Sequence, residues 1–104
     1  MFIAIVQIPM SKRPRDAAVE AATKSAPTYT ALGAKGLLKK YYLNGEAGGG
    51  GVYLWASEAA ARAWYTPEWE ARMEAAFGAR PVVTYYDNHV VVDNEAGQVR
   101  VDNS

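Results

Sequence analysis

Residues 36–55, GLLKKYYLNGEAGGGGVYLW, read as two β-strands joined by a glycine-rich turn. The first strand runs from Gly36 to Asn44 and the second from Gly51 to Ala56. Leu, Val, Tyr and Trp suit a pleated, packed surface. Asn44-Gly45 and the four glycines Gly48 to Gly51 break helical structure and allow positive φ, so the turn is placed there. Alternation puts Leu37, Lys39, Tyr41 and Leu43 on one face of the first strand and Leu38, Lys40 and Tyr42 on the other. In the second strand Val52, Leu54 and Ala56 oppose Tyr53 and Trp55. Neither face is polar, whereas a sheet with one wet face alternates more cleanly. Both faces are therefore expected to be covered, by two different things.

Outward from this hairpin, Phe2 to Pro9 is strand-like, with Phe2, Ala4, Val6 and Ile8 on one face and Ile3, Ile5 and Gln7 on the other. Pro14 suits the start of a helix running to about Ser25, with Ala18, Val19, Ala22 and Ala26 on its apolar side. Pro27 is expected to stop it, leaving residues 28–35 as a loop with at most one helical turn around Tyr29 to Leu32. Ser57 is an N-cap for the next helix. Thr66-Pro67 restarts it, Trp69, Met73, Ala76 and Phe77 share one face, and Gly78 ends it. Arg80 to Asp93 reads as a long strand bent at Asp87-Asn88. A turn at Asn94–Gly97 and a short closing strand at Gln98–Asp102 follow. The order β-α-β-β-α-β is that of an α+β, ferredoxin-like sheet of four antiparallel strands with helices on one face. Residues 1–94 form that domain and residues 95–104 a tail. The apolar outer face calls for a cover, which a two-fold dimer supplies.

The bulk composition narrows the chemistry. A chain of 104 residues with 50% hydrophobic residues is one globular domain. Eleven basic and eleven acidic residues cancel, which disfavours a nucleic-acid partner. Seven Lys/Arg against two Asp/Glu fall in residues 1–40, and four against nine in residues 41–104. With no Cys and a single His, His89, neither a thiolate nor a His-cluster metal site is expected. No apolar run approaches the ~20 residues of a membrane span. Phe2–Pro9 is followed, not preceded, by basic residues, unlike a signal peptide. A cytoplasmic protein without a membrane partner is the expectation. The basic residues Lys12, Arg13 and Arg15 read as a solvated turn in preference to an anion site. The glycine run lacks the Lys and Ser/Thr of a phosphate loop.

The stretch GLLKKYYLNGEAGGGGVYLWASEAAARAW, followed by YYDN at residues 85–88, resembles the small monooxygenases of the dimeric α+β-barrel superfamily. The shared pattern is a Gly-Leu strand with a central Lys and an acidic-glycine turn (Glu46, Gly48, Gly49). An aliphatic-Tyr-Leu-aromatic strand follows, then a helix opening on Ser/Glu and an Asp in the last strand. Residues 27–35 are longer than the family pattern, and residues 95–104 lie outside it. The resemblance implies a homodimer that oxygenates a small, often aromatic molecule without metal, flavin or other cofactor. Such chemistry needs a base or hydrogen-bond donors and an aromatic cavity. Lys40, matching the central Lys, is the candidate to orient an enolate or phenolate. Gln7 is a candidate partner for a substrate carbonyl. In the superfamily's haem-degrading branch an Asn, a Trp and a helical His act; the corresponding places here hold Gln7, Trp55 and Tyr65. Lys40, Gln7 and Trp55 are thus the catalytic candidates. Tyr42, Tyr53, Trp64, Tyr65, Trp69 and Tyr85 are the candidate ligand contacts. Core packing is the competing role for each aromatic residue, and a non-catalytic ligand-binding or stress-related dimer is the competing function. An isomerase or decarboxylase is a further alternative.

Overall fold

The computed structural model describes residues 1–102. It is an α+β structure with a four-stranded antiparallel sheet and three helices, compatible with the expected ferredoxin-like arrangement. Strand β1 (Phe2–Ile8) leads through helix α1 (Arg15–Ala31) and a 3-10 turn (Leu32–Lys35) to β2 (Leu37–Gly45) and β3 (Gly48–Trp55). Helices α2 (Glu58–Trp64) and α3 (Pro67–Phe77) then lead to β4 (Val82–Asp87). The sheet order is β2-β3-β1-β4, with every neighbouring pair antiparallel. Strands β5 (Val90–Asp93) and β6 (Gln98–Val101) form a separate hairpin.

One face of the sheet carries the core. Phe2, Ala4, Val6 and Ile8 of β1 alternate into it, as their spacing predicts, beside Tyr53 and Trp55 of β3. Leu32, Leu37, Ala61 and Trp69 close over them. Ile3, Ile5 and Gln7 look the other way, next to Tyr86, Thr84 and Val82 of β4 and Leu54, Val52 and Gly50 of β3. On that second face Val82 and Tyr86 are more than half exposed.

The predicted caps form. Ser57 Oγ accepts from the Ala60 N–H at 3.1 Å and Thr66 Oγ1 from the Trp69 N–H at 3.2 Å. Each satisfies a helix-end donor that has no partner within its helix. Gly78 ends α3 in the left-handed region.

Four expectations change. Pro27 lies inside α1 rather than ending it. Proline removes one N–H bond and crowds the preceding turn, but Tyr29 is anchored by ring contacts to Tyr42, Tyr53 and Trp64, which hold the last turn helical. The four glycines are not the turn: Glu46-Ala47 is, and Gly48–Gly51 belong to β3. A register shift between Leu37 and Lys39 puts Leu37 on the same side as Lys40 and Tyr42, so simple alternation fails at that bulge. Finally, the long strand breaks at Asn88-His89 instead of bending, and its two halves join different sheets. The division expected between residues 94 and 95 runs through the turn of the β5-β6 hairpin.

The glycines of β3 are required by close approach. Gly50 has φ +130°, and a Cβ there would run into the Val6 carbonyl of β1. A Cβ added at Gly33, in the 3-10 turn, would meet nothing within 4 Å. Gly50→Ala should therefore lower unfolding stability by at least about 1–3 kcal/mol. Gly33→Ala should leave it unchanged or raise it by up to about 1 kcal/mol. Urea titration of the two variants checks this, and equal midpoints would refute the close-approach argument.

Candidate functional site

Pairing partners along β1 and β3 explain where space is left. Phe2 faces Trp55 and Ala4 faces Tyr53, but Val6 faces Gly51 and Ile8 faces Gly49. Large rings fill one end of the core face, and glycines leave the other end empty. Helix α1 spans this end with small side chains, Ala18, Ala21 and Ala22, and none of its residues is buried. The result is a cleft of about 490 Å³ between the sheet, α1 and α3. Two ties hold α1 across it. Ser25 Oγ and Tyr42 Oη are 2.8 Å apart. Near the start of the helix, the Arg13 N–H donates to Asn44 Oδ1 and Asn44 Nδ2 donates to the Arg13 carbonyl, both at 2.9 Å.

Lys40 is the polar centre of the wall. Its Nζ lies 3.3 Å from the centre of the Tyr29 ring, 3.9 Å from Tyr42 and 4.8 Å from Tyr53. Burial lowers its ammonium from the ordinary 10.5 to about 7, because a low-polarity site disfavours the charged form. The ring faces oppose that shift by favouring the cation. Burial also raises the phenols of Tyr29, Tyr53 and Tyr65, which stay neutral hydrogen-bonding groups at physiological pH. A smaller groove of about 360 Å³ shares Tyr29, Lys40 and Tyr42 as wall, so the amine borders two cavities. Gly51 underlies it: a Cβ there would sit 3.2 Å from Lys40 Cε and 3.0 Å from the Tyr53 ring.

Of the nine expected site residues, the structure brings Lys40, Tyr42, Tyr53 and Trp69 to the cleft. The other five lie elsewhere. Gln7 is on the opposite sheet face and exposed. Trp55 is wholly buried, its Nε1–H donating to Tyr65 Oη at 3.2 Å. Tyr65 packs edge-on against Tyr53, Trp55, Trp69 and Tyr85, so it is the hub of the core. Tyr85 stacks on Phe2 at 5.6 Å and lies under the Arg62 guanidinium. Trp64 packs edge-on against Tyr29 and helps to hold it. Its indole N–H and that of Trp69 are buried with no partner among the described residues. Tyr53 belongs to both groups and joins the core to the lysine site.

Sequence reasoning missed Tyr29 and read Arg13 as part of a solvated turn. Once α1 is continued through Pro27, Ala18, Ala22, Ser25 and Tyr29 fall on one stripe at i, i+4, i+7 and i+11, which is the signal that would have found Tyr29. Arg13 lines the cleft with its guanidinium 5.9 Å from the centre of the Phe77 ring. Among the described residues, no three His, Cys, Asp or Glu side chains converge as metal ligands, and no helix is long and apolar enough to cross a membrane. No protein-family model matches the sequence, and no curated protein matches it.

The lysine shift fixes a pH window. Below about pH 7 Lys40 is protonated in both the folded and unfolded chain, and the cost of burying its charge is fully present. Between about 7 and 10.5 the folded chain has lost the proton and the unfolded chain keeps it, so stability rises with pH. Above that window the raised tyrosines reverse the slope. Lys40→Met should flatten the rise and be the more stable protein at pH 6. Thermal unfolding from pH 5.5 to 10 checks this, and an unchanged slope in the variant would place the Lys40 pKa near its ordinary value.

Proposed function

We propose that this chain is a cofactor-independent monooxygenase acting on a small aromatic molecule held in the cleft. The observation that supports it best is Lys40, a half-buried amine among three tyrosine rings at the wall of an apolar cavity. In this reading neutral Lys40 accepts a proton from an acidic C–H or O–H of the substrate. The substrate anion remains beside the new ammonium and passes an electron to O₂. Recombination makes a C–O bond, and a methylene becomes a carbonyl as the second oxygen atom leaves as water. The substrate supplies all the electrons. Positioned proton transfer contributes about 10²–10⁴-fold in such steps. The neutral Tyr29 and Tyr53 hydroxyls suit stabilisation of the developing oxyanion.

The same reading takes the chain as a βαββαβ ferredoxin-like unit, with α2 and α3 together in the place of the second helix, paired into a dimeric α+β barrel. Surface area favours a partner. The chain exposes 6,854 Å², against about 5,700 Å² for a folded monomer of this mass. The excess of roughly 1,100 Å² is comparable to the ~800 Å² each partner buries in a standard interface. The exposed apolar groups concentrate on the open sheet face, at Tyr41, Val82 and Tyr86, and on one side of the β5-β6 hairpin. There Val90 faces Val101 and Val92 faces Val99, all four 54–66% exposed. A second copy over the sheet face satisfies the demand its strands make for a cover.

Two measurements test the proposal. Sedimentation of dilute protein should give a dimer; a cooperatively folded monomer of 11.3 kDa would overturn the barrel. Anthrones and related reduced polycyclic phenols should consume O₂ faster with the protein than without, the rate rising with pH around a midpoint near 7. Lys40→Met should slow uptake by about 10²-fold or more. Saturable binding without O₂ uptake across such compounds would favour the non-catalytic ligand-binding dimer instead.

A further inference from the structure

The charges around the cleft are one-sided. The chain as a whole balances eleven basic against eleven acidic residues. Yet the residues lining the cleft include two basic side chains, Arg13 and Lys40, and no Asp or Glu. A ligand carrying one negative charge would meet complementary charge and no repulsion there.

Arg13 is a placed residue. The reciprocal pair of hydrogen bonds to Asn44 fixes its backbone against β2. Its guanidinium lies over Phe77, itself part of the cleft lining. Arg15, two residues on, pairs with Asp16 at 3.0 Å. No carboxylate of the described residues pairs with Arg13. Its five donors suit a carboxylate in a paired geometry.

Strand β2 carries Lys40 and anchors the Arg13 backbone through Asn44, which sets a length scale. Asn44 lies four residues along β2 from Lys40, about 13 Å at the ~3.3 Å rise of a strand. Between them the cleft is lined by Ile8, Gly49, Gly50 and Met73, and its polar side groups there, the Ser25 and Tyr42 hydroxyls, pair with each other. A flat or extended hydrocarbon body fits that interval, with a polar function at each end.

We propose that the ligand of this cleft is an elongated aromatic carboxylate, its carboxylate held by Arg13 and its reactive, weakly acidic end at Lys40. This deepens the function proposed above: it rests on the cleft being the ligand site, and not on the oxidation. Arg13 is then the residue that selects for charge, and Lys40 the one that meets the reacting atoms. A neutral polycycle would still enter the apolar cleft but would leave the Arg13 end unused.

The test compares two probes that differ in one charge, anthracene-9-propionic acid and its primary amide, by calorimetric titration under nitrogen. At pH 8 Lys40 is mostly neutral, so discrimination between them falls to Arg13. The acid should bind about tenfold or more tightly than the amide, as expected for a hydrogen bond to a charged group. Arg13→Gln should bring the two within about twofold, and Arg13→Lys should restore part of the difference. Arg15→Gln, whose side chain lies outside the cleft, should leave it unchanged. Circular dichroism establishes that each variant is folded, and Arg13→Lys carries the comparison if Arg13→Gln is not. Equal affinities in the parent protein, or a preference that survives Arg13→Gln, would overturn the proposal. Preference for the acid with no O₂ uptake on acids or neutral anthrones would remove the oxygenase and leave charge selection standing. Uptake on neutral anthrones with no preference for the acid would do the reverse.

Discussion

The approach of β3 to β1 is the constraint from which the rest follows. At one end of this strand pair Trp55 and Tyr53 stand over Phe2 and Ala4; at the other, glycines lie over Val6 and Ile8. A side chain has little room at either: a Cβ at Gly51 would sit 3.0 Å from the Tyr41 carbonyl and from the Tyr53 ring, and one at Gly49 2.8 Å from the Met10 sulfur. A single sheet face is thus divided into a packed half and an empty half. Helix α1 does not fill the empty half, because the side chains it offers are mostly alanine. A conventional core would place Leu or Ile at those positions to reach interior packing density. The cleft is therefore a property of the glycine run and the alanine stripe together.

Much of the fold is legible because its signals are local. A Ser or Thr oxygen that accepts a helix-end N–H acts within four residues, and Ser57, Thr66-Pro67 and Gly78 mark their boundaries correctly. The signals that mislead are those decided at long range. Gly48–Gly51 have turn composition, but their neighbour is a strand that leaves no room for side chains, so they pair as β3. Pro27 has stop composition, but the lost backbone bond is offset by the packing of Tyr29 on three other rings. The bulge after Leu37 is invisible in composition and reverses the parity of one residue.

The site divides the same way. Lys40 is legible as a long polar side chain in the middle of an apolar strand, and alternation keeps it beside Tyr42. Tyr53 and Trp69 also reach the cleft. Trp55, Trp64, Tyr65 and Tyr85 lie in or against the core, because an aromatic ring suits a cavity wall and a packed interior equally well. Only register separates the two roles. Gln7 shares parity with Ile3 and Ile5, opposite the buried set Phe2, Ala4, Val6 and Ile8, and that parity alone takes it out of the cleft. Tyr29 was obscured because Pro27 reads as the end of α1, and Arg13 because a basic cluster before a helix reads equally well as a solvated turn.

The placement of Lys40 works against stability and so calls for a reason. An apolar residue there would carry no charge to bury. Two opposing effects set the charge state instead: desolvation favours the free amine, and three ring faces favour the ammonium. With a pKa of about 7, neither form is far from the other in free energy at neutral pH. What enters the cleft can then decide between them. An apolar body that displaces water strengthens desolvation and favours the amine, the form able to take a proton. An anion formed beside Lys40 favours the ammonium, the form able to hold that anion. In the proposed oxidation, arrival of the substrate and formation of its anion would thus push the same group in opposite directions, in the order that proton abstraction requires. At low pH, where it carries its charge, Lys40 stands half-buried among three tyrosine rings at a cost in stability that an apolar side chain there would not carry.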